Sequence, residues 1–133
     1  IYDLSLEGVS AAQKRGESVR YGDMTHADTF EHACAGNASV IVVMFNDPHA
    51  LPRTIELANR VAPGVPIMAR CRYLNESQEL LNLGANLVVV EEVETGFTML
   101  RRVLRYLGHD ETKIRREIAA MRDELNLNTE RAE

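Results

Sequence analysis

The segment Ser39-Val40-Ile41-Val42-Val43-Met44-Phe45 is unbroken, apolar and rich in β-branched residues, and it stops at Asn46-Asp47-Pro48. A run this short and this β-branched reads as a strand. A strand apolar on both faces belongs in the middle of a layered α/β domain, where helices above and below bury both sides. Asn46 and Asp47 then fall at its carboxyl end, where open parallel sheets place their ligands.

The rest of the chain repeats that unit. Strands are read over residues 1–3, 18–21, 67–71 and 86–90, with helices over 27–35, 49–61, 75–83, 94–107 and 111–125. A further helix is capped by Ser5, weakened by Gly8 and ended by Gly16. Strands alternating with helices at this spacing mean right-handed βαβ units and a parallel sheet with helices on both faces. Residues 1–107 form this layered domain, and 108–133 a last helix with a polar tail. That helix carries a seam of Ile114, Ile118, Met121 and Leu125. The seam either packs back on the same chain or docks on a second subunit, in which case Ile118→Asp yields monomers.

Composition narrows the partners. With 133 residues there is room for one core. A net charge of -5 argues against nucleic acid, whose phosphates call for a basic surface. The local cluster of Arg101, Arg102, Arg105, Lys113, Arg115 and Arg116 lies among acids on helices and reads as a solvated face. Cys34 and Cys71 are far apart and fit small buried residues in a reducing compartment. No apolar run approaches the ~20 residues that cross a bilayer, so a membrane connection would come through a partner or another part of a longer protein.

The strand ends supply a ring of polar residues: Asp3 and Ser5, then Asp23, Met24 and Thr25, then Asn46 and Asp47, then Arg70 and Arg72, and finally Glu91 and Glu92. Asp3, ending an early strand, is placed to accept both hydroxyls of a ribose, or to cap a helix. Gly22-Asp23 brings backbone close to a ligand edge, with the carboxylate open to an exocyclic amine and Met24 to a flat ring; a plain turn is the other reading. Asn46-Asp47-Pro48 suits a helix cap, and Arg70 suits a phosphate or an ion pair with Glu92. No nucleophile elbow, no zinc spacing among the four histidines, no P-loop and no glycine-rich phosphate loop is present.

These pieces, in this order and spacing, resemble the regulator-of-potassium-conductance domain, also called the TrkA N-terminal domain. The matching segments are Val19-Arg20-Tyr21-Gly22-Asp23 with Thr25, the strand leading to Asn46-Asp47-Pro48, Pro66-Ile67-Met68-Ala69-Arg70, and Leu83-Gly84-Ala85-Asn86. Glu91-Glu92-Val93-Glu94-Thr95-Gly96, running on to Gly108, looks like the end of this domain in Kef-type cation:proton antiporters. The resemblance implies a Rossmann-like, non-catalytic sensor on the cytoplasmic face of the membrane. It would bind an adenine nucleotide (AMP, ATP or NAD(H)) as a homodimer and gate potassium or sodium flux through a membrane antiporter domain of the same longer chain, or through a potassium transport system. Carried over by position, it sets the ribose on Asp3, the adenine near Asp23, Met24 and Thr25, and Asn46 and Asp47 beside the ligand.

The family's first, central strand and its glycine-rich loop would precede Ile1. Without them two strand edges lie open, unless a strand from elsewhere, such as a second copy, fills the gap. These residues alone should then bind nucleotide poorly. A fragment of an NAD(P)-dependent oxidoreductase is the competing reading, and it would require a substrate domain with a proton donor. A pure dimerisation module is a third, compatible with the first.

Overall fold

The computed structural model describes residues 1–33, 37–45 and 47–124. In chain order the elements are β1 (Tyr2–Asp3), α1 (Leu6–Lys14), β2 (Arg20–Tyr21), α2 (Ala27–His32), β3 (Ile41–Val43) and α3 (Ala50–Val61). They continue as β4 (Ile67–Cys71), α4 (Leu74–Asn82), β5 (Leu87–Val90), α5 (Glu91–Tyr106) and α6 (Glu111–Glu124). All strand pairs are parallel, in two small sheets of order β1-β2 and β3-β4-β5. The α/β parallel architecture expected from the alternating pattern is therefore present.

β4 is central to the larger sheet. Ile67, Ala69 and Cys71 are buried on one side and register with Ile41, Val43, Val88 and Val90. That face is covered by α3, through Leu51, Ile55 and Ala58, and by α4, through Leu80 and Leu81. Burying each such aliphatic side chain contributes about 1.5–3 kcal/mol. The opposite face carries Val42, Met68 and Val89, which stay 55%, 39% and 43% exposed.

The apolar run that opened the analysis is thus not the middle strand of its sheet. Among the described residues β3 pairs only with β4, and Val42, Met44 and Phe45 beside it are exposed. Likewise β1, among the described residues, pairs only with β2. Among the described residues the β1–β2 unit has its own core of Val9, Ala12 and Val19. It is tied to the larger core by Phe30 and by Met24, whose carbonyl accepts the Thr54 hydroxyl at 3.4 Å.

α5 begins at Glu91, with no loop after β5, so Glu91 and Glu92 lie in its first turn. The expected start at Glu94 is three residues late, because acidic residues at a helix start are favoured by the macrodipole. Gly108, at φ +83°, turns the chain, and the Asp110 side chain accepts the Lys113 amide to start α6. Ile114 and Ile118 are buried against Phe97, Val93, Leu100 and Leu104. Arg122 closes one end, bonding Glu94 at 2.6 Å and lying 4.5 Å over the Phe97 ring, and Arg105 bonds Glu111 at the other.

The seam therefore packs on its own chain. Met121 at its far end is 39% exposed, and Leu125 lies outside the described residues. Ile118→Asp would place an unpaired carboxylate in this core. It should cost about 3 kcal/mol, lower helicity by circular dichroism and shift the urea midpoint, rather than merely separate subunits.

Candidate functional site at the carboxyl ends of the strands

The described polar residues expected at the strand ends lie at or just past the carboxyl termini of parallel strands, but they are not equally free. Asp3 ends β1; its Oδ1 accepts the Ser5 amide at 2.8 Å, and its carbonyl accepts the Gly22 amide. Ser5 is the N-cap of α1, with Oγ accepting the Gly8 amide at 3.0 Å. The pairing of β1 with β2 therefore brings Asp3 beside the Gly22-Asp23 turn.

Asp23 closes a turn on Thr25, accepting its amide at 2.9 Å and its hydroxyl at 2.7 Å through one oxygen, Oδ1. The other oxygen faces His26 Nε2 at 3.6 Å. It does not cap α2, whose N-cap is His26. The two Thr25 bonds hold the carboxyl below its ordinary range, with His26 and Arg53 adding to the effect. Gly22 is required here by packing, since a Cβ would meet Tyr2 at 2.8 Å and Thr29 at 2.9 Å. Met24 packs partly against the main core, which removes much of its side chain from any ligand.

Asp47 accepts the His49 and Ala50 amides at 2.9 and 2.7 Å, so its carboxylate starts α3 and is held below its usual range by those bonds. Asn46 lies outside the described residues. Arg70 pairs with Glu91 at 2.8 Å, not with Glu92, and its Nε is buried without a partner among the described residues. Glu92 instead accepts the Leu74 amide at 2.7 Å and caps α4.

Sequence reasoning missed several participants. Glu76 accepts the Arg72 and Tyr73 amides, fixing the β4–α4 loop. Asn86 accepts the Ile67 amide through its side chain and donates its own amide to the Ile67 carbonyl, which sets the start of β4. A cavity of about 390 Å³ opens between the starts of α3 and α4, lined by Asp47, Leu51, Cys71, Arg72, Tyr73 and Glu76 among others. Burial pushes the Cys71 thiol up to about 11, with Glu76, Glu91 and Glu92 adding to it, so it stays protonated at neutral pH. A groove of about 260 Å³ lies beside Thr25, lined by His26, Arg53, Glu56 and Arg60. Among the described residues no group of His, Cys, Asp and Glu could hold a metal ion, and no helix is long and apolar enough to cross a membrane.

Ionised Asp23 offers an acceptor for a ligand N–H or O–H. Because its folded-state titration lies below the unfolded one, the turn is fully held above the ordinary carboxylate range and is released as pH falls through the lowered value. The Thr25 amide resonance should therefore shift with a midpoint under about pH 3.8, and Asp23→Asn should abolish that shift. A midpoint at or above 3.8 would contradict the geometry.

Several known proteins are similar to this chain in sequence or fold. A Haemophilus influenzae protein, "Glutathione-regulated potassium-efflux system protein", is 27% identical over 132 residues, covering 98% of this chain and 21% of its own length. The chain thus spans about a fifth of that relative. Among solved structures, the Shewanella denitrificans Kef C-terminal domain in its AMP-bound form is similar at 26% identity, TM-score 0.71, covering 82% of this chain and 70% of that one. The TrkA-N domain of the inner membrane protein ybaL from Escherichia coli aligns at 24% identity, TM-score 0.69, over 74% and 73% of the two chains. The NAD(P)-binding domain of an exopolyphosphatase-related protein from Archaeoglobus fulgidus, at 18% identity and TM-score 0.70 over 78% and 77%, shares the fold. The TrkA-N domain model matches residues 2–91, and on that match this chain belongs to the TrkA-N domain family.

Proposed function

We propose that this chain is a cytoplasmic, nucleotide-sensing regulatory domain of a monovalent cation (potassium or sodium):proton antiporter, joined to a membrane domain of a longer chain and acting as a homodimer. It binds an adenine nucleotide, such as AMP, ATP or NAD(H), without transforming it. The observation that carries this reading is the pair Asp3 and Asp23 at one end of the β1–β2 sheet. In each, one carboxylate oxygen holds its own turn; among the described residues the other makes no hydrogen bond on Asp3, and on Asp23 it faces His26 Nε2 at 3.6 Å. Asp3 is the acceptor for the two ribose hydroxyls and Asp23 for the adenine amine.

Membership of the TrkA-N family, and similarity across nearly the whole chain to a potassium-efflux relative, support transport regulation. An oxidoreductase fragment draws only on a likeness of fold at 18% identity, which distinguishes nothing about chemistry. Regulation works by population shift: a nucleotide moves the attached transporter only by its difference in affinity for two arrangements of the domain.

Calorimetry on the full-length gene product with AMP, ATP and NADH tests the reading. At least one nucleotide should bind, and Asp3→Asn should weaken it by about tenfold, roughly 1.4 kcal/mol, by removing a charged acceptor. The 133 residues alone, which contain no glycine-rich loop, should bind it more weakly still. Binding by none of the three would overturn the proposal.

A further inference from the structure

Among the described residues two polar side chains are buried, Thr54 on α3 and Ser77 on α4. Ser77 bonds within its own helix, at the Leu74 carbonyl 2.7 Å away, as hydroxyls on helices commonly do. Thr54, 1% exposed, reaches out of its helix instead and donates to the Met24 carbonyl at 3.4 Å. Among the described residues this is the one hydrogen bond that joins residues 1–33 to residues 37–124.

We propose that Thr54 is a positioning residue for nucleotide recognition, which sets the direction of the Asp23 carboxylate by fixing the peptide between Met24 and Thr25. The inference deepens the reading of Asp23 as the adenine acceptor and rests on it. The Met24 carbonyl and the Thr25 amide belong to one planar peptide unit. Thr54 holds its C=O, and Asp23 Oδ1 accepts its N–H at 2.9 Å. A rotation of that plane would break both bonds together, and with the second goes the turn that aims the carboxylate. A hydrogen bond to the C=O also polarises the peptide and strengthens its N–H as a donor.

The two ends of this link differ in how firmly they are held. Among the described residues the β1–β2 unit, which leads into Asp23, has three buried residues of its own. α3 is anchored in the main core by Leu51, Ile55 and Ala58 on either side of Thr54. Thr54 thus refers a thinly packed turn to a firmly buried helix. A turn ordered beforehand loses less freedom when its ligand binds, which is how a residue that never touches the nucleotide affects its affinity.

Calorimetry with AMP, ATP and NADH, together with hydrogen exchange, both on the full-length gene product, tests this. Thr54→Val keeps the branched shape and removes the hydroxyl. It should weaken nucleotide binding by about three- to tenfold. It should also speed exchange in the segment from Arg20 to His26 while leaving that of β4 unchanged. Thr54→Ser, which restores the hydroxyl, should recover both. Wild-type affinity in Thr54→Val, unaltered exchange at the turn, faster exchange in β4 as well, or no recovery with serine would each overturn the inference alone. A wild type that binds none of the three nucleotides would overturn it together with the nucleotide reading.

Discussion

The polar ends of the larger sheet depend on β4 being held in step with its neighbours. Asn86 clamps Ile67 at the start of the strand with two hydrogen bonds, one from its side chain and one from its backbone. From that fixed point Ile67, Ala69 and Cys71 must face the core, since a slip of one residue would turn Met68 and Arg70 inward. The carboxyl ends of β4 and β5 are then level, and Glu92 can reach the first amide of α4 while its own amide bonds the Arg72 carbonyl. The polar tips are level because the apolar face leaves them no other register.

The two sheets are not equally robust. Among the described residues the larger has fourteen buried in one cluster and the smaller three. Burial is what offsets the entropy of ordering a chain, so the β1–β2 unit borrows order from its neighbour through Phe30, Met24 and the Thr54 hydroxyl. Asp3 and Asp23, whose Oδ1 atoms hold their own turns, stand on this thinner unit. A ligand that joins them to the end of β3 would add the cohesion that the chain's own packing supplies only sparingly.

Much of this was legible beforehand. β4 is found where it was read, from Ile67 to Cys71, because Pro66 before it and a short, largely apolar run leave little choice. The cap by Ser5 and the turn at Gly108 follow local rules that sequence exposes directly. The side of the seam on α6 was not legible. Ile114 and Ile118 have the same pattern whether they meet α5 or another subunit, and only the turn at Gly108 with the Arg122–Glu94 and Arg105–Glu111 clamps decides it. Arg70 was assigned the wrong acid for a similar reason: Glu91 and Glu92 are adjacent, and which one faces the open side of the sheet depends on α5 starting at once after β5. Among the strand-end residues, pattern named the carboxylates but could not say which oxygens their own turns consume.

That immediate start of α5 also bears on how the proposed sensor would work. Glu91 joins Arg70 across the end of β4, and Glu92 caps α4, so the first turn of α5 is bonded to two other elements with no loop to absorb a shift. Movement at the strand ends must therefore tilt α5 or break one of these bonds. A ligand whose affinity differs between two tilts of α5 would shift their populations, and α5 is the element whose position would report that shift.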